Sequence, residues 1–171
     1  MLMKGLWILL CITVIAGSCA KSTSTPAPVS EYKPILMNKQ SLIISVKWLP
    51  STELSNPGKY ILNGNYLYVV EMYKGVHVFD NSNPSSPENM GLINVPGIQT
   101  ISIKGNDLYA DNATDIVAID ISSPTSPTVL SRISNVLPAP GTPDGLPLGA
   151  PVAQSTWPAN TIPVGYVKLK N

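Results

Sequence analysis

The feature that most constrains this chain of 171 residues is an internal repeat. The two copies are GNYLYV at 64–69 with GVHVFDNSNPSSP at 75–87, and GNDLYA at 105–110 with DIVAIDISSPTSP at 115–127. The glycines that open the copies, Gly64 and Gly105, are 41 residues apart. The aspartates Asp80 and Asp120 are 40 residues apart, so the second copy lacks one residue between these anchors. The chain must therefore build two similar units.

The residues that the two copies share are of types that form turns. Gly-Asn favours a hairpin turn, and Asp followed by Ser and two prolines favours the end of a strand. The predicted structural positions are Gly64, Asn65, Asp80, Ser82, Pro84 and Pro87, and their equivalents Gly105, Asn106, Asp120, Ser122, Pro124 and Pro127. Two aspartates could also form a carboxylate pair for acid–base catalysis. The equivalence of Asp80 and Asp120 in the repeat instead favours the capping of turns.

Each copy contains four short apolar runs separated by turn residues, which predicts eight strands. The predicted strands are residues 60–62, 66–71, 76–79 and 89–95, and residues 100–103, 107–110, 116–119 and 128–133. Four short antiparallel strands with a period of about 40 residues are typical of a β-propeller blade. The predicted fold class is therefore all-β: a partial β-propeller of about two four-stranded antiparallel blades, with a disordered N-terminal tether and a Pro-rich C-terminal tail.

The N-terminus has the pattern of a bacterial lipoprotein signal. Lys4 provides a positive charge, and the apolar run at 6–15 is too short to span a bilayer comfortably. The sequence AGSC at 16–19 resembles a lipobox, so we expect cleavage before Cys19 and attachment of lipid to its sulfur. The only other cysteine, Cys11, lies within the leader, so Cys19 has no disulfide partner. The alternative is an ordinary signal peptide in which Cys19 has no special role.

Composition divides the chain into six segments. These are a lipoprotein signal peptide at 1–18, a Ser/Thr/Pro tether at 19–30, a leading segment at 31–58, blade 1 at 59–97, blade 2 at 98–136 and a Pro/Gly-rich tail at 137–171. The apolar run at 42–48 predicts a strand or a docking segment. Seven prolines at 138–163 predict extended, disordered chain, and residues 165–169 predict one last strand.

These segments resemble the LVIVD-repeat β-propeller lipoproteins of bacterial envelopes. The resemblance covers about residues 32–138, and the name-giving strand corresponds to residues 76–80 and 116–120. It implies a propeller fold and a location in the cell envelope, but no particular chemistry. The chain departs from the family in length, because a ring takes about four to eight blades. Either the propeller is truncated, which we favour, or two blades associate with other copies.

The charges exclude a nucleic-acid surface. Lysine and arginine number 11 against 10 acidic residues, and Arg132 is the only arginine, so the chain offers no basic stripe for phosphates. The sequence also lacks a nucleophile elbow, a P-loop, a dinucleotide fingerprint and a zinc helix. We therefore expect no enzymatic activity, no cofactor and no metal.

Two sets of polar residues are candidates for a site. His77 occupies a position that the second copy fills with Val117, which favours a structural or surface role. The oxygen-rich set in the second hairpin consists of Asp107, Asp111, Asn112 and Asp115. Calcium binds such oxygens, but the spacing does not match an EF-hand loop. Solvated loop polarity is the favoured interpretation of this set.

Aromatic side chains are the candidates for ligand contact. Tyr66, Tyr68, Tyr73 and Tyr109 could line a carbohydrate-binding surface. Tyr68 and Tyr109 are equivalent in the repeat, so we expect both in the core. Tyr73 and Trp157 remain as contact candidates.

The function that these patterns favour is that of a membrane-anchored, non-enzymatic binding or scaffolding module of the envelope. The expected partners are the membrane through lipid at Cys19, an envelope protein or glycan, and other copies of the chain. The outer membrane is favoured, because no acidic residue directly follows Cys19. One alternative is a fragment of a propeller enzyme acting on envelope glycans, with Asp111 and Asp115 as its acid pair. Another is a remnant without a stable fold.

Overall fold

The computed structural model describes residues 26–170. The signal peptide, Cys19 and the first half of the tether therefore lie outside the described residues. The helix and strands of the described residues are β1 (Tyr32–Asn38), α1 (Lys39–Ile43), β2 (Lys47–Leu49), β3 (Pro57–Asn63), β4 (Tyr66–Glu71), β5 (Gly75–Asp80), β6 (Glu88–Asn94), β7 (Ile101–Lys104), β8 (Asp107–Asn112), β9 (Asp115–Asp120), β10 (Thr128–Ile133) and β11 (Thr161–Lys168). Within residues 26–170, no helix has the length and apolar character needed to cross a bilayer.

The two repeat copies form two antiparallel sheets, as the sequence predicts. Blade 2 has the strand order β10-β9-β8-β7, and blade 1 has the order β2-β6-β5-β4-β3. The all-β fold class is confirmed, with one difference in blade 1. Its fifth strand, β2, pairs with β6 and places Trp48 opposite Ile93.

The residue missing from the second copy is absent from a hairpin turn. Three residues, 72–74, connect β4 to β5, whereas two, 113–114, connect β8 to β9. Both turns contain a non-glycine residue with positive φ, Tyr73 at 67° and Ala113 at 58°. The preceding hairpins are alike, with Gly64 at 58° and Gly105 at 61°, a conformation that favours glycine. The repeat is therefore interrupted only where a turn absorbs the change.

The main core lies between the two blades. Alternate residues of each strand point to opposite faces, so each blade contributes one apolar face. The buried residues of this core include Tyr68, Val70, Val76, Val78 and Ile93 from blade 1, and Ile101, Leu108, Ala110, Val117 and Ile119 from blade 2. Because the core needs both blades, the two repeats form one packed unit.

The run at 42–48, predicted to be a strand or a docking segment, is divided in the structure: residues 42–43 end helix α1, and residues 47–48 belong to strand β2. Asn38 accepts a hydrogen bond from the backbone N–H of Gln40 at 2.9 Å, which caps the start of α1. Only Leu42 of this helix is buried. It packs with Ala113 of blade 2 and with Ile162 and Val164 of β11 in a second, smaller core.

The tail is more structured than its proline content predicted. β11 pairs antiparallel with β1, from Tyr32 opposite Lys168 to Asn38 opposite Thr161, so the last strand is longer than residues 165–169. Two short 3-10 helices, Ala150–Val152 and Gln154–Thr156, precede it. The end of the tether also makes contacts, because the Ser30 hydroxyl donates to the Asp144 carboxylate at 2.9 Å. The prolines shape this segment without preventing strand pairing.

Candidate functional site

The repeat aspartates are used at the ends of their strands. Asp80 accepts a hydrogen bond from the backbone N–H of Ser82, and Asp120 accepts one from that of Ser122, each at 2.8 Å. Hydrogen bonds from the hydroxyl and amide of these serines lower the pKa of both carboxyls. Each aspartate thus caps its own turn, and the two carboxyl groups do not form a pair for acid–base catalysis.

The other repeat positions lie in equivalent turns. The carbonyl oxygen of Asn65 accepts from the Asn81 N–H at 2.7 Å, and that of Asn106 accepts from the Ile121 N–H at 2.8 Å. The four repeat prolines are in the loops that connect β5 to β6 and β9 to β10, and these are Pro84, Pro87, Pro124 and Pro127. The signature residues therefore stabilise the blade ends and do not converge on one site.

The oxygen-rich set of the second hairpin is divided between different partners. Asp111 accepts from the backbone N–H groups of Gln99 and Thr100, at 3.0 and 2.8 Å, and burial raises its pKa. Asn112 is fully buried and Asp115 is 5% exposed, so solvated loop polarity is the wrong description of these two. Within residues 26–170 no three His, Cys, Asp or Glu side chains are grouped closely enough to hold a metal.

The proposed acid pair of an enzyme is not brought together. Asn112 lies opposite Asp115 in the β8–β9 register, and Asp111 lies opposite Ile116. Because neighbouring residues of a strand alternate between faces, Asp111 and Asp115 project from opposite faces of blade 2. Two carboxylates on opposite faces cannot act on one bond.

Arg132 is the partner of Asp115, and sequence reasoning missed this role. Its guanidinium donates to Asp115 and to the Asn112 side chain, each at 2.8 Å. It also donates to the carbonyl oxygens of Leu42 and Ile43 at the end of α1. Burial would raise the pKa of Asp115, but hydrogen bonds from the Asn135 amide and Arg132 outweigh it and lower this pKa. A lone arginine in an otherwise lysine-rich chain is the one signal that could have indicated it.

A second buried polar cluster lies on the outer side of blade 1. The His77 ring is fully buried, and its Nε2 lies 2.6 Å from Oε2 of Glu71. The other carboxylate oxygen accepts from the Ser55 hydroxyl at 2.6 Å, and Lys74 forms an ion pair with Oε2 at 2.9 Å. Burial would raise the pKa of Glu71, but hydrogen bonds from His77, Ser55 and Lys74 lower it to about 2.

The hydrogen bonds around His77 fix its tautomer. The side-chain oxygen of Asn89 accepts from the Gly91 N–H at 3.1 Å, so its nitrogen faces Thr52 and His77. That nitrogen donates to Nδ1 of His77 across 3.3 Å, and the proton of the ring is therefore on Nε2, facing Glu71. A buried histidine with both nitrogens engaged is structural and not at the surface.

The tyrosines take different roles from those predicted. Tyr68 is 1% exposed, and burial raises its pKa to about 12. Tyr109 is 38% exposed, so the expectation that it lies in the core is wrong. Blade 2 packs over Tyr68, whereas no corresponding blade among the described residues packs over Tyr109. Trp157 donates its indole N–H to the Val152 carbonyl at 3.1 Å and thereby fixes the 3-10 segment.

Tyr73 lies at an open cavity between the blade turns and the β1–β11 sheet, which we call the rim cavity. Its volume is about 410 Å³. Its lining residues are Ile35, Asn56, Met72, Tyr73, Lys74, Asn94, Pro96, Val164, Gly165 and Tyr166. The Tyr73 and Tyr166 rings meet edge to face with their centroids 5.9 Å apart. Of the two contact candidates that remained from the sequence, Tyr73 lines this cavity and Trp157 does not.

The rim cavity combines a rigid aromatic wall with polar groups. The Tyr166 hydroxyl donates to the Pro140 carbonyl at 2.6 Å and the Tyr73 hydroxyl to the Gly141 carbonyl at 3.2 Å, so the tail holds both rings. Asn94 donates its amide nitrogen to the Ser45 carbonyl at 2.7 Å. The lining contains amides, an ammonium group and apolar side chains but no carboxylate.

Comparison with known proteins identifies the repeat. The family model described as LVIVD repeat matches residues 60–95 and again residues 98–134. These ranges coincide with blades 1 and 2. No curated protein and no solved structure shows a significant match to the chain. The chain therefore contains two LVIVD repeats, with one copy of the repeat in each of its two blades.

Proposed function

We propose that this chain is a lipid-anchored, non-enzymatic binding module of the bacterial cell envelope, and that the rim cavity is its binding site. The fold and the two LVIVD repeats directly support a β-structured module built on repeats. The observation that supports the binding role is the rim cavity, because it brings two tyrosine rings, amides and an ammonium group together at one open cavity.

The chemistry of the rim cavity favours a neutral sugar ring of an envelope glycan. A volume of about 410 Å³ is in the range of small-molecule sites. Tyrosine offers an apolar ring face to the C–H groups of a sugar, while amides of Asn56 and Asn94 suit its hydroxyl groups. Lys74 is already paired with Glu71 at 2.9 Å, which reduces its attraction for an anion.

A binding titration tests this site. Soluble cell-wall oligosaccharides are titrated into the full-length protein by calorimetry, and Tyr73→Leu is expected to weaken binding at least about tenfold, or 1.4 kcal/mol. Leu130→Ala is the control, because Leu130 is 55% exposed and does not line the cavity. Equal affinity of both variants and the wild type would move the glycan site away from the rim cavity.

The lipid anchor is supported by the lipobox sequence at 16–19 and is tested separately. Cells expressing the protein are labelled with radioactive palmitate, and Cys19→Ala is expected to abolish the label. Cys11→Ala is the matched control, since Cys11 lies in the leader and is expected to keep full labelling. Labelling that persists without Cys19 contradicts the anchor.

A further inference from the structure

Each blade has an outward face that repeats one side of the interface between the blades. The outward face of blade 2, here the tail face, carries Tyr109, Ile116 and Ile133. Their equivalents in blade 1 are Tyr68, Val76 and Ile93, which are 1%, 0% and 0% exposed because blade 2 covers them. On the tail face Tyr109 is 38% exposed and Ile133 58% exposed.

The outward face of blade 1 repeats the other side of the same interface. This surface, here the head face, carries Tyr60 and Leu62 on β3, with 72% and 59% exposed. Their equivalents on β7 are Ile101 and Ile103, which pack into the core between the blades. Along β3, the head face thus presents large apolar side chains at the positions that blade 2 uses to contact blade 1. Its Val69 and His77, the equivalents of Ala110 and Val117, are already buried within the single chain.

We infer that a second copy of this chain packs its head face against the tail face of the first, and so continues the stack of blades. The internal interface provides the template, because it already joins the same two kinds of face. An alternative contact between two tail faces has no counterpart within the chain. The association is heterologous, which produces a closed ring when the rotation between copies closes.

The polar groups of the tail face are compatible with this contact. Asp111 projects from it, but its carboxylate accepts hydrogen bonds from two backbone N–H groups, Gln99 and Thr100. The same face contains an open hollow of about 300 Å³, lined in part by Tyr109, Ile116 and Leu137. An apolar side chain of the head face can enter this hollow while the Asp111 carboxylate keeps its two backbone donors, and Lys59 also lies at its lining.

The number of copies follows from the number of blades. Propeller rings typically contain about four to eight blades, so chains of two blades would close a ring with about two to four copies. The interface is weaker than the internal one, because Ser102 of the tail face stands where blade 1 has Ile61. We therefore expect dissociation on dilution.

The experiment measures the mass of the full-length protein by light scattering in mild detergent, with the detergent contribution subtracted. The wild type is expected at about two to four copies. Leu62→Asp on the head face and Ile133→Asp on the tail face are each expected to give monomers, because a charge is buried unpaired. Both positions are more than half exposed in the single chain, so folding is preserved, as circular dichroism will verify.

Mixing the two variants distinguishes the modes of association. In a head-to-tail contact, the intact head face of Ile133→Asp meets the intact tail face of Leu62→Asp, and a one-to-one pair forms. Ile44→Asp is the control, since Ile44 is 79% exposed and lies on neither face, and it is expected to assemble like the wild type. The proposal is overturned if the wild type is monomeric, if Leu62→Asp assembles, or if the mixture stays monomeric.

Discussion

Glu71 is the residue on which the polar contacts of blade 1 converge. Its carboxylate is 3% exposed and binds His77 of β5, Lys74 of the turn before β5, and Ser55 of the leading segment. A buried charge is stable only when such partners replace the lost water. The repeat equivalent, Asn112, is also fully buried and is hydrogen-bonded by Arg132, so both blades place a polar side chain at this position.

Glu71 should therefore make stability depend on acid. Its pKa falls from 4.5 to about 2 on folding, so its stabilising effect is present above the ordinary pKa and is lost as pH falls through the folded pKa. We expect Glu71→Gln to lower the free energy of unfolding at neutral pH by about 3 kcal/mol and to flatten its decline between about pH 5 and pH 2.

Urea unfolding at several pH values measures this effect. Glu53→Gln is the matched control, because Glu53 is exposed, and it should follow the wild-type curve. Asp111, whose pKa is raised by burial, acts in the opposite sense and is unchanged in both variants. An equally steep decline in Glu71→Gln and wild type would show that Glu71 does not carry the acid dependence.

At the scale of elements, Arg132 connects strand β10 to helix α1. Its side chain is 11% exposed, and it joins Asp115 of β9 to the last carbonyl groups of the helix. The exposed ion pair between Lys168 and Glu31 offers a contrast, with 64% and 66% of the two side chains exposed. The two ion pairs should differ greatly in their contribution to the free energy of unfolding, since the pair of Lys168 and Glu31 is the one that water screens.

We expect Arg132→Met to destabilise the fold by about 3 kcal/mol, because Asp115 is left as a buried charge without its partner. Lys168→Met should change the free energy of unfolding by less than about 1 kcal/mol. The double variant Arg132→Met with Asp115→Asn should be less destabilised than the sum of the single changes. Chemical denaturation measures the wild type, the three single variants Arg132→Met, Asp115→Asn and Lys168→Met, and the double variant. Similar losses for Arg132→Met and Lys168→Met would contradict the assignment.

The strands of the repeats could be predicted because local signals agreed there. The strand predicted at 66–71 coincides with β4. A hairpin turn precedes this strand, and a run of apolar residues marks its length. β1 was missed because Pro34 interrupts it, and Pro163 likewise lies inside β11. A two-stranded sheet consists only of edges, which is where proline is tolerated.

The helix and the site needed information from distant parts of the chain. Apolar residues at 42–48 fit a strand or a helix equally well, and the cap by Asn38 decides the beginning of α1. The rim cavity brings Tyr73 next to Tyr166, whose neighbours in the sequence give no sign of that contact. Tyr73 could be proposed from sequence only because the repeat left it without an equivalent.

At the scale of the whole molecule, the two blades share one core and should unfold together. Ile119 of blade 2 is fully buried against blade 1 residues, and Ile119→Ala is expected to cost about 2–5 kcal/mol. Circular dichroism follows all strands, while the fluorescence of Trp48 follows blade 1 in a background with Trp7→Phe and Trp157→Phe. Both signals should shift equally to lower urea.

Leu130→Ala is the matched control, because Leu130 is 55% exposed and should leave the transition close to that of the wild type. Two separate transitions, or a shift confined to circular dichroism, would mean that the blades are independent.

The pairing of β1 with β11 has a consequence for the order in which the protein takes shape during synthesis. Tyr32 and Lys168 are partners, yet 136 residues separate them along the chain. The hairpins of both blades close over short loops, whereas this sheet cannot be completed until Lys168 has been added to the chain. The edge of β1 therefore stays unpaired until the eight residues of its partner strand, β11, have been made.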